Sequence, residues 1–518
     1  MLDGSGSGKS ASYSIPNAYQ MLGSYIFTDP KGELYDKTAG FLKKNGYEIK
    51  VLNLVDPKFS DGYNPLMHIS SEIDVDVIAN TIVKGQQTDS GKQDPYWDDM
   101  AEMLLKALIY YLIARRPEEE QNLASCAELV RAANNNGGSN LLTELMNELP
   151  YDHPARMYYK SIEIAPEKTY GSILSSLQSK LGKFDSKEIA ELTSTDTINF
   201  DEIGTKKTAV YVISSDTHTA YDFLLTIFFS QMIQQLYNFA DKSGGALPMR
   251  TFFILDEFAN IGRVPDFDKK ISTSRSRKIS FSVILQNLDQ LEAVYEKSYE
   301  TIIGNCDTHV FLGSNSQKTV EYFSKALGEK TISKQQLSRS ADRHNLWTQG
   351  YNSSEQIMAR ALMTPDELRR LDNDLCIIFE KGIKPIKSRK YYYFEKPKVL
   401  SSLKRYTLDH NQFQGISRGE WRKYNPYNPY NANDENKKEE NNLKIESLDD
   451  LFETEENNTE KEKKNEAVTT EAPTLPQEEF ETVKQEKVIQ DESQEKIDIQ
   501  KELEAKFDEL FGPIDDEE

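Results

Sequence analysis

The feature that most constrains this chain is a glycine-rich run closed by lysine and serine, Gly4-Ser5-Gly6-Ser7-Gly8-Lys9-Ser10. Such a run has one well-defined structural use, as the turn between a buried strand and a helix. Its backbone N–H groups wrap phosphate, the lysine reaches the β- and γ-phosphates of a nucleotide, and the hydroxyl binds Mg²⁺. An α/β fold around a parallel sheet follows from that demand. The first glycine of the pattern G-x-x-x-x-G-K-[ST] falls on Asp3, an acid where phosphate charge would gather, although Gly4 and Gly6 keep the backbone permissive. Only Met1-Leu2-Asp3 precede the loop, so the strand that should hold it is expected to be missing. A chance Gly/Ser run is the competing reading until a second half of the site is found.

That second half lies more than 240 residues downstream. Thr251-Phe-Phe-Ile-Leu255 is an apolar strand ending in Asp256-Glu257, the Walker B arrangement. It delivers Asp256 to a Mg²⁺ shell beside Ser10 and leaves Glu257 to polarise an attacking water. A basic turn follows, Ser274-Arg275-Ser276-Arg277-Lys278, and then a strand, Ser280–Leu285, ending at Gln286. A polar side chain there can contact the γ-phosphate. Either arginine can act as a finger on a neighbouring subunit's site or stand as a solvated basic turn.

A long spacing between the two motifs requires an insertion. Strands at 24–28 and 48–54 flank a helix at 34–45, giving β-α-β alternation. From about 70 to 195 the pattern turns helical: Trp97, Met100, Leu104, Leu108 and Leu112 recur at helical spacing and read as core. The sheet resumes at 208–214, with a long helix near 221–239 and further strands at 251–255, 280–285, 309–312 and 375–380. The expected organisation is a first part of the P-loop domain (1–70), an inserted all-α domain (71–195), the remainder of the P-loop domain (196–410), and a low-order tail (411–518).

The tail dominates the charge. Residues 434–518 carry 30 acidic and 11 basic side chains, a net of −19 out of a formal −22, so the rest of the chain is near neutral. Its few large apolar residues cannot offset ordering entropy, and it reads as disordered. Two segments in it, Leu448–Phe452 and Phe507–Phe511, place apolar residues on one helical face and fit docking to a partner. Residues 381–425 hold 12 Lys/Arg against 3 Asp/Glu, which suits DNA, acidic lipid or a solvated face. Three cysteines without paired spacing point away from disulfides and zinc, and no run approaches the roughly 20 apolar residues of a membrane span. The six histidines have no ligand spacing, and Asp29 and Glu33 read as strand-end acids or as neighbours of the nucleotide.

Several motifs in order, Gly4–Ser10, FTDPKGEL at 27–34, LNLVDP at 52–57, YNPL at 63–66, ILDEFANIG at 254–262, STSRSRKISFSVILQN at 272–287 and IIGNCDTHVFLG at 302–313, resemble type IV secretion coupling proteins. The likeness is to the TraG-like DNA-transfer ATPases of Gram-positive conjugative elements and runs to about residue 395. It implies a RecA-like motor with an inserted all-α domain, assembled as a homo-hexamer at the cytoplasmic face of the membrane. ATP with Mg²⁺ would drive or gate single-stranded DNA, with its attached relaxase, into the secretion channel. Carried onto this chain, Lys9 and Ser10 match the Walker A positions, Asp256 and Glu257 the Walker B pair, Gln286 the third motif, and Arg275 the trans-acting finger, with Arg277 second. The family's N-terminal membrane helices are expected to be absent from this chain. Two rivals stand beside this reading: a double-stranded DNA translocase, which would be expected to carry a C-terminal winged helix, and a docking adaptor that binds nucleotide weakly.

Overall fold

Strands covered on both faces read as unbroken apolar runs, and they form the centre of the sheet. The computed structural model describes residues 1–3, 8–84, 95–134, 141–215, 221–340, 350–415 and 417–426. Its strands are β1 (Leu2–Asp3), β2 (Ser24–Thr28), β3 (Glu48–Asn53), β4 (Thr208–Ile213), β5 (Thr251–Leu255), β6 (Ile279–Val283), β7 (Thr308–Gly313), β8 (Glu329–Ser340), β9 (Gly350–Ala361), β10 (Leu375–Glu380) and β11 (Ile386–Arg389). Five are parallel in the order β3-β4-β2-β5-β6. Every residue of β2 and β4 is buried.

The strand expected to be missing is present. β1 pairs parallel with β7, Leu2 opposite Phe311, and Leu2 also bridges Leu285 just past β6. Met1 donates its amine to the Val283 carbonyl at 2.7 Å and accepts from the Leu285 N–H at 3.0 Å. Two residues suffice because backbone on both sides receives them and Leu2 is buried. They join the five-stranded sheet to a second order, β1-β7-β10-β11, in which β10 and β11 turn antiparallel.

Successive strand residues point to opposite faces, so each face collects its own core. Phe27, Tyr211 and Ile254 pack beneath the helix Glu33–Lys44 through Leu34, Ala39 and Leu42. Gly40 on that helix meets the loop at Tyr406 so closely that a Cβ would lie 1.9 Å from the Tyr406 carbonyl oxygen. On the other face Ile26, Val210, Val212 and Phe253 join one core with the helical region. Among the described residues, seven α-helices and no strand lie between Glu72 and Leu192. Leu104, Leu108 and Leu112 of the helix Pro95–Arg115 are fully buried, as their spacing predicts.

Order extends past residue 410, where it was expected to fade. Residues 417–426 lie along the helical region: Arg422 Nε reaches Glu120 Oε1 at 2.6 Å, Arg116 meets the other Glu120 oxygen at 2.6 Å and covers the Tyr424 ring at 4.0 Å, and the Tyr424 N–H donates to Ser125 Oγ at 2.9 Å. The strands β8 and β9, unforeseen in the sequence, form a separate two-stranded antiparallel ribbon. No helix among the described residues is long and apolar enough to cross a membrane. The acidic tail and its two amphipathic segments lie outside the described residues, as do Gly4, Ser5, Gly6 and Ser7 of the loop.

Candidate functional site

Three neighbouring strands deliver the site to one end of the sheet. β1 leads into the loop, β5 ends at Asp256, and β6 lies between them and leads to Gln286. Gly8 sits at φ +82°, a backbone that favours glycine, with Tyr392 so close that a Cβ would come within 2.9 Å of its ring. The helix beyond starts at once, Ser10–Ser14 as a π turn and Ile15–Gln20 as α-helix, held to β6 by Tyr13 and Ser282 hydroxyls 2.8 Å apart.

Lys9 Nζ lies 2.8 Å from Asp256 Oδ1 and 2.5 Å from Glu257 Oε1, closing a sequence separation of 248 residues. Gln286 Nε2 donates to both Glu257 oxygens at 3.0 Å, and its own N–H donates to Gln290 Oε1 at 3.1 Å. Asp256 is buried, accepts from the Glu257 N–H at 3.0 Å, and its carbonyl takes the Thr28 hydroxyl at 2.6 Å. Glu257 adopts the left-handed region at φ 52°, which is uncommon for a side chain of its kind and concentrates at functional sites.

Burial raises the Asp256 carboxyl above the usual carboxylate range, against the pull of Lys9. Burial also works against the Lys9 charge, but Asp256 and Glu257 outweigh it and hold the ammonium above the ordinary lysine value. The cation is thus secured in its charged form. These side chains line a cleft of about 480 Å³ together with Ser10, Asp29, Lys31, Glu33, Asn260 and Gln290.

Of the residues read from sequence, Gly8, Lys9, Ser10, Asp256, Glu257 and Gln286 therefore come together. Asp29 and Glu33 join them at the cleft wall. Arg275 does not: its side chain is 92% exposed, 3.8 Å from Asp307, and it lines a different groove. Arg277 is occupied, donating to both oxygens of Asp241 at 2.9 and 3.1 Å and covering the Tyr237 ring at 4.9 Å. Asn260, Gln290 and Tyr392 were missed. Gln290 had a signal, being one helical turn beyond Gln286; Tyr392 had none.

This chain belongs to the type IV secretory system conjugative DNA transfer family, whose profile matches residues 1–416. It is 24% identical over 427 residues to the conjugal transfer protein TraG of Escherichia coli, covering 76% of this chain and 66% of that protein. It is 26% identical over 398 residues to the protein VirD4 of Rhizobium radiobacter, covering 75% and 55%. The chain thus spans about two thirds or less of those relatives. Among solved structures, the conjugative coupling protein TrwB is similar at a TM-score of 0.53 and 17% identity, covering 75% of this chain and 83% of that one. TrwB has also been solved with the non-hydrolysable ATP analogue ADPNP (TM-score 0.52). At that identity the likeness shows the fold alone, a RecA-like α/β fold around a parallel sheet.

Asp29 supplies a pH test of the cleft wall. Its carboxyl is buried and pushed up to about 6 from 3.8, chiefly by burial, while the Tyr35 and Leu34 N–H groups pull it down. The folded chain therefore holds a proton that the unfolded chain releases. The resulting stabilisation is full below roughly pH 4 and is lost as pH rises through about 6, amounting to about 3 kcal/mol. Asp29→Asn keeps an oxygen for the Tyr35 N–H, a 2.8 Å bond, and should become the more stable protein across that window. Melting curves of the two at several pH values check it; a difference independent of pH contradicts it.

Proposed function

We infer that the chain is the motor of a conjugative coupling protein, an ATPase that brings single-stranded DNA with its bound relaxase to a type IV secretion channel and powers or gates the transfer. One observation carries the reading: Lys9, Asp256, Glu257 and Gln286 converge on a single cleft beside Gly8 and Ser10. Family membership and relatives named as conjugal transfer proteins support it.

The donors fit ATP and Mg²⁺: an ammonium kept charged, a hydroxyl at a helix start, and two carboxylates on the facing strand end. Lys9 would hold the β/γ-phosphates, with the loop backbone of Gly4–Gly8 around them, and Ser10 and Asp256 would hold the metal. Bound MgATP supplies the phosphoryl group and the cation that offsets its charge. Glu257 accepts the proton of the attacking water, and Gln286, hydrogen-bonded to both Glu257 oxygens, orients that carboxylate and senses the γ-phosphate end of the cleft. Residues 71–195 form the helical insertion between the two parts of the motor, 1–70 and 196–410.

Arg275 completes the site of a neighbour in a homo-hexameric ring at the cytoplasmic membrane face. Its exposure and its distance from its own chain's cleft support that assignment, whereas Arg277 is spent on Asp241. Arg275→Ala should lower ATP turnover roughly a hundredfold with an unchanged melting temperature. Mixing Arg275→Ala with Lys9→Ala subunits should restore part of the turnover, because a Lys9→Ala subunit offers its arginine to an intact cleft. Absence of any recovery on mixing contradicts the trans assignment.

A further inference from the structure

Residues 381–389, Lys-Gly-Ile-Lys-Pro-Ile-Lys-Ser-Arg, form the turn after β10 and the edge strand β11, and all nine are exposed. Lys381, Lys384, Lys387 and Arg389 make no ion pair with a described residue. The flanking acids are Glu380, at the end of β10, and Asp307, which faces Arg275 at 3.8 Å. Lysine and proline on an edge strand guard against unwanted pairing. That role does not account for Ile383 and Ile386, which stand among the cations 51% and 46% exposed.

Position adds a second observation. Glu380 lies opposite Thr308, the first residue of β7, so the turn sits where the parallel strands enter the sheet. The nucleotide cleft is at the end where they leave it, roughly 17 Å away at about 3.3 Å per residue of β7.

We propose that the turn after β10 and the start of β11, residues 381–387, rest on an anionic lipid surface, whereas Arg389, opposite Leu375, lies towards the other end of the sheet. The lysines lie over headgroup phosphates, and Ile383 and Ile386 enter the boundary with the acyl chains. Nucleic acid would use the cations alone and leave both isoleucines in water, so lipid is the better match. The contact is separate from the nucleotide site and stands whether or not that site turns over ATP.

The test is flotation of the full chain with vesicles of phosphatidylglycerol and phosphatidylcholine, against phosphatidylcholine alone. A chain of formal net charge −22 is repelled by an anionic surface unless a local patch engages it, so binding is diagnostic. The expected result is flotation with the anionic vesicles only, weakened by salt. Lys384→Gln and Lys387→Gln should each weaken it roughly fivefold, and Ile383→Ser should weaken it with melting temperature unchanged. Three results would overturn the proposal: no flotation, equal flotation of wild type and variants, or variants that keep flotation but lose binding to single-stranded DNA, which would assign the patch to nucleic acid.

Discussion

Lys9→Ala should abolish measurable ATP turnover, a loss of roughly a thousandfold or more. The lysine is the cation that both carboxylates at the end of β5 face, at 2.8 Å from Asp256 and 2.5 Å from Glu257. Its removal takes the positive charge from the transferring phosphates and leaves two adjacent carboxylates without a counter-ion. The second effect has its own readout. Burial already raises the Asp256 carboxyl, and loss of Lys9 should raise it further, so the variant should lose stability as pH rises towards neutrality relative to wild type. Turnover assays and melting curves on one protein measure both. Undiminished turnover would exclude Lys9 from the chemistry.

Glu257→Gln should separate chemistry from binding. Gln keeps the length of the side chain and an oxygen for Gln286 Nε2, now bonded at 3.0 Å, but cannot accept the proton of water. Turnover should fall roughly a thousandfold, the range of general-base loss, while nucleotide affinity stays within a few-fold of wild type. The left-handed backbone at Glu257 is unaffected, since the substitution changes only the side-chain head group. A variant that loses ATP binding as well would make Glu257 a ligand rather than a base.

The site was legible in the sequence because its chemistry is local: a loop that ends in Lys9-Ser10 and strands that end at Asp256-Glu257 and Gln286. The central strands were legible for a related reason, since burial on both faces leaves unbroken apolar runs such as Ser24–Thr28. What escaped depends on distant partners. Leu2–Asp3 is too short to read as a strand and becomes one only between Leu285 and Phe311. The β8–β9 ribbon carries no apolar alternation, because the described residues near its base are largely exposed, Ile357 at 75%. Tyr392 reaches Gly8 only through the return of the chain after β11, and Arg422 and Tyr424 acquire meaning only from Glu120 and Ser125 in the helical region.

Phosphate release from MgATP by the wild-type chain, measured with and without single-stranded DNA, decides whether this cleft is a nucleotide motor answering to DNA. Release that depends on Mg²⁺ and rises when DNA is added is the predicted result. Binding of ATP without release under either condition would contradict it, and would leave a docking adaptor in place of the motor.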